Sequence, residues 1–298
     1  MLLQRIITGV ILAAISLAVI FYGDDFQFIV FIGILTTLAA WEWSRLAGWE
    51  KLWQQILYAA LIGFLPFFLI LSPKFLPYID SAIIEELVAM IFYGSLMIYV
   101  FFLFASPILW GLTLIKLINY QRGTNPNIGF KSLLGFWFLS TAWLSLVILK
   151  DFGVEWLLFV LCLVWASDIG AFFVGKTFGK HKLADQISPG KTIEGVMGAL
   201  LFGGLLAIAF VMWKGEATFL KPRAVYWFMG LAFVTVIFSI VGDLLESLLK
   251  RQKNMKDSSQ LLPGHGGFLD RLDSIIAAAP IFLIGIWILK ELNLVIFR

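Results

Sequence analysis

Residues 154–176 read VEWLLFVLCLVWASDIGAFFVGK. Apart from Glu155 near the start and Lys176 at the end, the run carries a single charge, Asp168. About 20 consecutive apolar residues are what an α-helix needs to cross the hydrocarbon core of a bilayer. A carboxylate deep inside such a run costs roughly 2.5–3.5 kcal/mol on insertion scales, and a residue kept there usually faces a protein interior or a wet cavity. The stretch therefore predicts a transmembrane helix in which Asp168 has a functional role. Ala171, Gly175 and Gly179 recur every four positions on a face beside it. Gly195, Ala199 and Gly203 do the same in the next apolar run, a pattern that permits close helix packing.

Similar runs occupy roughly 5–23, 26–47, 52–72, 86–119, 131–150, 193–213, 223–250 and 272–296. The expected fold is all-α, a polytopic integral membrane protein with about nine transmembrane helices. The fourth run holds Pro107 and is expected to kink or split. The run after Arg5 leads directly into the second and lacks a small-residue cleavage site, so it is expected to be a retained helix. Composition agrees: of 298 residues, 61% are hydrophobic and 14% charged, where an ordinary globular domain carries about 25% charged residues. The net charge of +3 gives no reason to expect a nucleic-acid partner. The single cysteine, Cys162, excludes a disulfide framework and a cysteine-based zinc site.

Charge placement gives an orientation. Of the 22 lysines and arginines, 15 fall at the N-terminus and in the loops near 45–53, 116–131, 176–191 and 250–271. The remaining 7 fall on the other side, so the richer side is expected to face the cytosol. The loop near Asp80 is then expected on the opposite face. Residues 1–130 are expected to form a hydrophobic membrane region. Residues 131–298 are expected to form a catalytic membrane region with cytosol-facing loops 177–192 and 250–271.

The chemistry concentrates between Ser247 and Asp273, SLLKRQKNMKDSSQLLPGHGGFLDRLD. Asp243, Glu246, Ser247 and Lys250 share one helical face through their spacing. Asp270 and Asp273 share a face at the start of the next helix. Two helix ends at one membrane surface can present several carboxylates to one point. Such oxygens suit a hard cation such as Mg²⁺, which keeps waters and bridges to substrate phosphates. Lys250, Arg251, Lys256 and Arg271 are cations able to hold phosphate oxygens. Gly264-His265-Gly266-Gly267 allows close backbone approach to a phosphate. Together these parts fit phosphoryl or nucleotidyl transfer. Ser188-Pro189-Gly190-Lys191-Thr192 is expected to be a turn entering a helix N-terminus, where orphan N–H groups and Lys191 can meet a phosphate. It is not a Walker A loop. His181 is expected to be an ordinary loop residue.

The segment Ser247–Asp273 resembles the phosphatidate cytidylyltransferase family. The family pattern S-x-x-K-R, four residues, K-D, a short apolar stretch, H-G-G and D-R-x-D finds Ser247, Lys250, Arg251, Lys256, Asp257, His265, Gly266, Gly267, Asp270, Arg271 and Asp273 at its fixed positions. The segments around Asp168 and SPGKTIEG are also similar to family elements, although a Lys-Lys pair is common where Gly190-Lys191 stands. The Trp41-Glu42-Trp43 helix end resembles the bacterial members. The resemblance implies transfer of a cytidylyl group from CTP to phosphatidic acid, in a homodimer of the bacterial inner membrane with its active site facing the cytosol. It implies Asp243 and Asp270 as the metal ligands, with Mg²⁺ as the divalent cation. It also implies His265 as a phosphate or loop-shaping contact rather than a base, because the attacking lipid phosphate is already anionic. A transporter or lipid scramblase would accommodate Asp168 and the glycine-rich helices. It leaves the concentration of carboxylates and cations in one cytosolic segment unexplained. A CDP-alcohol phosphotransferase would need a D-G-x-x-A-R motif that the sequence lacks.

Overall fold

The structure, a computed structural model, describes residues 2–75, 82–120, 125–215, 218–219 and 222–296. The expected loop near Asp80, and part of the expected loop at 116–131, lie outside these residues. Among the described residues there are nine α-helices: α1 (Leu2–Tyr22), α2 (Asp25–Ala47), α3 (Leu52–Phe75), α4 (Ala82–Ile118), α5 (Ile128–Phe152), α6 (Val154–Phe178), α7 (Ile193–Lys214), α8 (Pro222–Gln252) and α9 (Leu269–Glu291). A two-stranded antiparallel hairpin, β1 (Lys182–Ala184) and β2 (Ser188–Thr192), separates α6 from α7. Each expected span falls on one helix. Seven of the helices contain a stretch long and apolar enough to cross a membrane, and α1 and α3 hold shorter apolar segments. The all-α polytopic fold holds. α4 stays a single helix of 37 residues with Pro107 inside it.

Two compact units are each assembled from separate stretches of chain. The first comprises Met1–Ser106, Asn127–Leu144 and Ser258–Leu269. Here α2 packs on α3 and on α1. α2 begins with a capping box: Asp24 Oδ1 accepts from Gln27 N at 2.7 Å, and Gln27 Oε1 accepts from Asp24 N at 3.1 Å. Trp43 Nε1 donates to the Lys131 carbonyl at 2.9 Å, and Tyr58 Oη to that of Ser132 at 2.7 Å, which ties α2 and α3 to the start of α5. The loop 258–269 turns through Gly264 and Gly266, whose φ values of 78° and 85° favour a residue without a Cβ. The turn is closed by Leu262 N donating to the Gly266 carbonyl at 2.8 Å.

The second unit comprises Pro107–Pro126, Ser145–Asp257 and Asp270–Arg298. Its spine is the pair α6 and α7. A Cβ added at Gly170 would run into the Gly198 carbonyl, and one at Gly198 into that of Gly170, so the two backbones touch. The small-residue stripe packs beside them as its spacing predicts: a Cβ at Gly195 would lie 3.1 Å from the Ala171 carbonyl oxygen and 3.6 Å from the Gly175 Cα. At the end of α6 away from the hairpin, Trp156, Phe159, Phe210, Phe228 and Phe282 form an aromatic cluster with centroids 4.5–6.4 Å apart. Such edge and offset contacts fix the far ends of α6, α7, α8 and α9 against one another. Phe172, Phe173, Met197, Leu201 and Trp227 are exposed instead. Large apolar side chains facing outward are what a bilayer solvent allows and water does not.

Candidate active site

The second unit brings most of the sequence-predicted residues to the hairpin end of α6–α9. The hairpin is the first surprise: Ser188–Thr192 is a strand, not a turn. Lys182 pairs with Thr192 and Ala184 with Ser188. Strand β2 runs straight into α7, where the Thr192 hydroxyl caps the helix by accepting from Gly195 N at 3.1 Å. Glu194 in the first turn of α7 folds back on the loop. It accepts from Lys180 N at 3.0 Å and lies 2.7 Å from His181 Nδ1, so exposed His181 is a surface anchor of the hairpin. Lys182 Nζ donates to the Pro189 carbonyl at 2.6 Å. These contacts leave Lys191 projecting from β2 onto α8, where its Nζ lies 2.7 Å from Asp243 Oδ2.

α8 presents the face its spacing predicts. Ser247 Oγ donates to Asp243 Oδ1 at 3.3 Å one turn away. Lys250 Nζ lies 2.5 Å from Glu246 Oε2 one turn away. The same Nζ donates to Asp270 Oδ1 at 2.6 Å. Arg251 Nε reaches the Ile187 carbonyl at 3.4 Å and braces the hairpin from below.

α9 starts at Leu269, so Asp270, Arg271 and Asp273 all ride on its first turns, with both aspartates at the helix start as expected. It approaches α8 closely because position 242 is glycine: a Cβ there would collide with the Asp273 carbonyl. That contact places the start of α9 against Asp243. Asp168 and Asp273 each lie within electrostatic range of both Asp243 and Lys191, and Asp168 also of Arg271.

A cavity of about 480 Å³ opens among these groups. Asp168, Lys191 and Asp243 supply charge to its wall, with Lys176 at the rim, while Gly175, Gly190 and Gly195 leave room by lacking side chains. Asp168 is exposed to this space rather than buried in the span. The five carboxylates Asp168, Asp243, Glu246, Asp270 and Asp273 thus stand among Lys191, Lys250, Arg251 and Arg271. Among the described residues, no three acidic, histidine or cysteine side chains converge as a ready metal cage. Asp243 and Asp270 are each engaged by a lysine.

Other predicted residues lie elsewhere. Lys256 and Asp257 are exposed just beyond α8. His265, Gly266 and Gly267 belong to the first unit, where His265 lies over Gly9 of α1, 3.5 Å from where a Cβ would stand. Gly242 and Ile187, which the sequence did not single out, prove to be structural parts of the site, and Thr192 of the Ser188–Thr192 segment proves to be a helix cap. Glu42 was noticed only as part of a resemblance and is fully buried. A charged residue in an apolar helix, flanked by two tryptophans, was the available signal.

The chain is 39% identical over 289 residues to the phosphatidate cytidylyltransferase of Pseudomonas aeruginosa, covering 96% of this chain and 97% of that protein. It is 35% identical to the Haemophilus influenzae protein of the same name (95% and 97% covered). It is 30% identical to that of Bacillus subtilis (93% and 94% covered). The cytidylyltransferase family model matches residues 3–289, which takes in the cavity, the hairpin and the whole of Ser247–Asp273. On that extent of match, the chain belongs to the cytidylyltransferase family.

Proposed function

We propose that this multi-pass membrane protein transfers the cytidylyl group of CTP to phosphatidic acid, giving CDP-diacylglycerol and pyrophosphate. The observation that carries the reading is the Lys191–Asp243 pair on the wall of a cavity that Asp168 also lines. The near full-length likeness to relatives bearing that activity in their names supports it.

A phosphate oxygen of phosphatidic acid attacks the α-phosphorus of CTP. The bond from that phosphorus to the oxygen bridging to the β-phosphate breaks, and pyrophosphate leaves with the electron pair. The nucleophile is anionic already, so the protein's task is orientation and charge neutralisation. Lys191, Lys250, Arg251 and Arg271 hold phosphate oxygens, and Lys256 draws the nucleotide toward the site. Asp168 and Asp273 complete the charged wall, while His265, Gly266 and Gly267 shape the loop before α9.

Two polyanionic substrates entering a site of five carboxylates and four cations need further positive charge. Hard oxygen donors on two helix ends fit a divalent cation such as Mg²⁺, with Asp243 and Asp270 as its holders. The metal would neutralise charge on the transferring phosphate. In this reading residues 131–298 form the catalytic region, residues 1–130 the remaining membrane region, and the enzyme acts as a homodimer. The bias of 15 to 7 in lysine and arginine supports a site open to the cytosol in a bacterial inner membrane. Purified protein with labelled CTP, phosphatidic acid and Mg²⁺ should yield labelled CDP-diacylglycerol and stoichiometric pyrophosphate. Failure to form either product would overturn the reading.

A further inference from the structure

Glu42 on α2 is 0% exposed, yet it carries a carboxylate. Four donors meet it, two on each oxygen. Ser259 Oγ and Phe268 N donate to Oε1 at 2.5 and 3.0 Å. Ser258 Oγ and Leu269 N donate to Oε2 at 2.8 and 2.7 Å. Ser258, Ser259 and Leu269 are themselves buried. Gly267 closes the wrap, because a Cβ there would overlap both Glu42 oxygens and Ser258 Oγ. All of these residues belong to the first unit.

Leu269 is the first residue of α9. The first N–H groups of a helix have no partner within it, and the helix N-terminus carries partial positive charge. A side chain just before the helix ordinarily serves as cap. Here the acceptor comes from a helix 227 positions earlier in the chain. Leu269 is bonded to Asp270, and Arg271 and Asp273 follow on the same turns.

We infer that Glu42 is a positioning residue: it anchors the first turn of α9 and so fixes where Asp270 and Arg271 begin. This rests on the proposed cytidylyl transfer, in which those two side chains act on the transferring phosphate. Glu42 itself touches no substrate. An amide in its place would suit the serines, since a hydroxyl can turn to accept from –NH₂. It would fail one backbone N–H, which cannot accept. Glu42→Gln therefore orphans either Phe268 N or Leu269 N with no change of size.

The test uses full-length protein in lipid nanodiscs. In Glu42→Gln, amide exchange followed by mass spectrometry should accelerate at least about tenfold in peptides covering 258–272. The kcat should fall about 10- to 100-fold, the usual cost of losing support behind an active group. The KM for CTP should change less than kcat does, because Lys191 and Asp243 are held by β2 and α8 and only Arg271 rides on α9. A purely structural role would lower the folded fraction and leave kcat per folded enzyme unchanged, and that result would overturn the inference. Unchanged exchange in a folded Glu42→Gln would do the same. If Glu42→Gln does not fold, Ser259→Ala removes one of the four bonds and should show the same two changes in smaller measure. Faster exchange without a lower kcat there would also refute the anchor. The exchange arm does not depend on the reaction: a wild type inactive with CTP and phosphatidic acid would sink the proposed function alone.

Discussion

Lys191 Nζ lies 2.7 Å from Asp243 Oδ2, so the last strand of a short hairpin and the final third of α8 hold opposite charges against each other at the wall of one cavity. Neither residue is near the other in sequence, and neither element alone makes a site. Two further contacts maintain the relation: the Thr192 cap sets the hairpin on α7, and Arg251 holds the Ile187 carbonyl.

Lys191→Ala should raise the KM for CTP or lower kcat/KM by about 10- to 150-fold. A hydrogen bond to a charged group contributes roughly 1.5–3 kcal/mol, and each 1.4 kcal/mol is tenfold. Arg271→Ala should behave alike. Steady-state kinetics with both substrates varied will check this, and unchanged constants would leave these cations with a topological role only.

Asp243→Asn and Asp270→Asn should each lower turnover by at least about 100-fold while the protein stays folded in the membrane. A chelator should abolish wild-type activity, and added Mg²⁺ should restore it. Near-normal rates in either variant at saturating Mg²⁺ would remove that residue from the proposed metal site.

Lys250→Met should destabilise the second unit. Its ammonium lies between Glu246 and Asp270 with a side chain only 14% exposed. Taking away one partner of a buried ion pair costs about 3–5 kcal/mol, because the charges left behind are uncompensated. Thermal unfolding in detergent should show a lowered Tm, with Lys250→Arg closer to wild type.

Gly198→Val should be among the most damaging changes away from the charged site. Its added atoms meet the Gly170 carbonyl and the Val174 side chain, so α6 and α7 must part. Overpacking typically costs 1–3 kcal/mol, and rigid backbone leaves little relief. Gly195→Ala meets nothing closer than 3.1 Å and should be milder. Comparing the monodisperse fraction after extraction would separate the two.

Topology can be read by labelling. In a Cys162→Ala background, cysteines at exposed Gln186 and Lys253 should react with an impermeant thiol reagent from the same, cytosolic face. Labelling from opposite faces would mean that α7 and α8 do not return the chain to one side, and the shared site would fail with it.

The helices were legible because a bilayer-crossing segment must be long, apolar and internally hydrogen-bonded, and those demands leave a mark on every residue. Asp168 was legible by contrast with its surroundings. The face of α8 bearing Asp243 and Lys250 followed from helical periodicity alone. The β-hairpin was not legible: eight strand residues containing a proline and a glycine carry too little alternation to separate strand from turn. The first residue of α9 lies ahead of the apolar run at 272–296 and has no local Ser, Thr, Asp or Asn to mark it, because its N–H meets Glu42, far along the chain. Glu42 itself could be seen as an oddity, but its partners 216 to 227 positions away could not.

α8 is 31 residues long, about 46 Å at 1.5 Å per residue, against a hydrocarbon thickness of about 30 Å. About 20 residues span that thickness, so α8 carries about ten more than a crossing needs. The polar C-terminal turns that bear Asp243, Glu246, Ser247 and Lys250 are the part of the helix suited to the headgroup layer, where lipid phosphates ride. Under the proposed reaction, a lipid need not be lifted from its leaflet to meet the nucleotide. Its search is a two-dimensional one, by sideways diffusion, while CTP arrives from the third dimension. The turnover of such an enzyme should follow the mole fraction of phosphatidic acid in the surface rather than its bulk concentration.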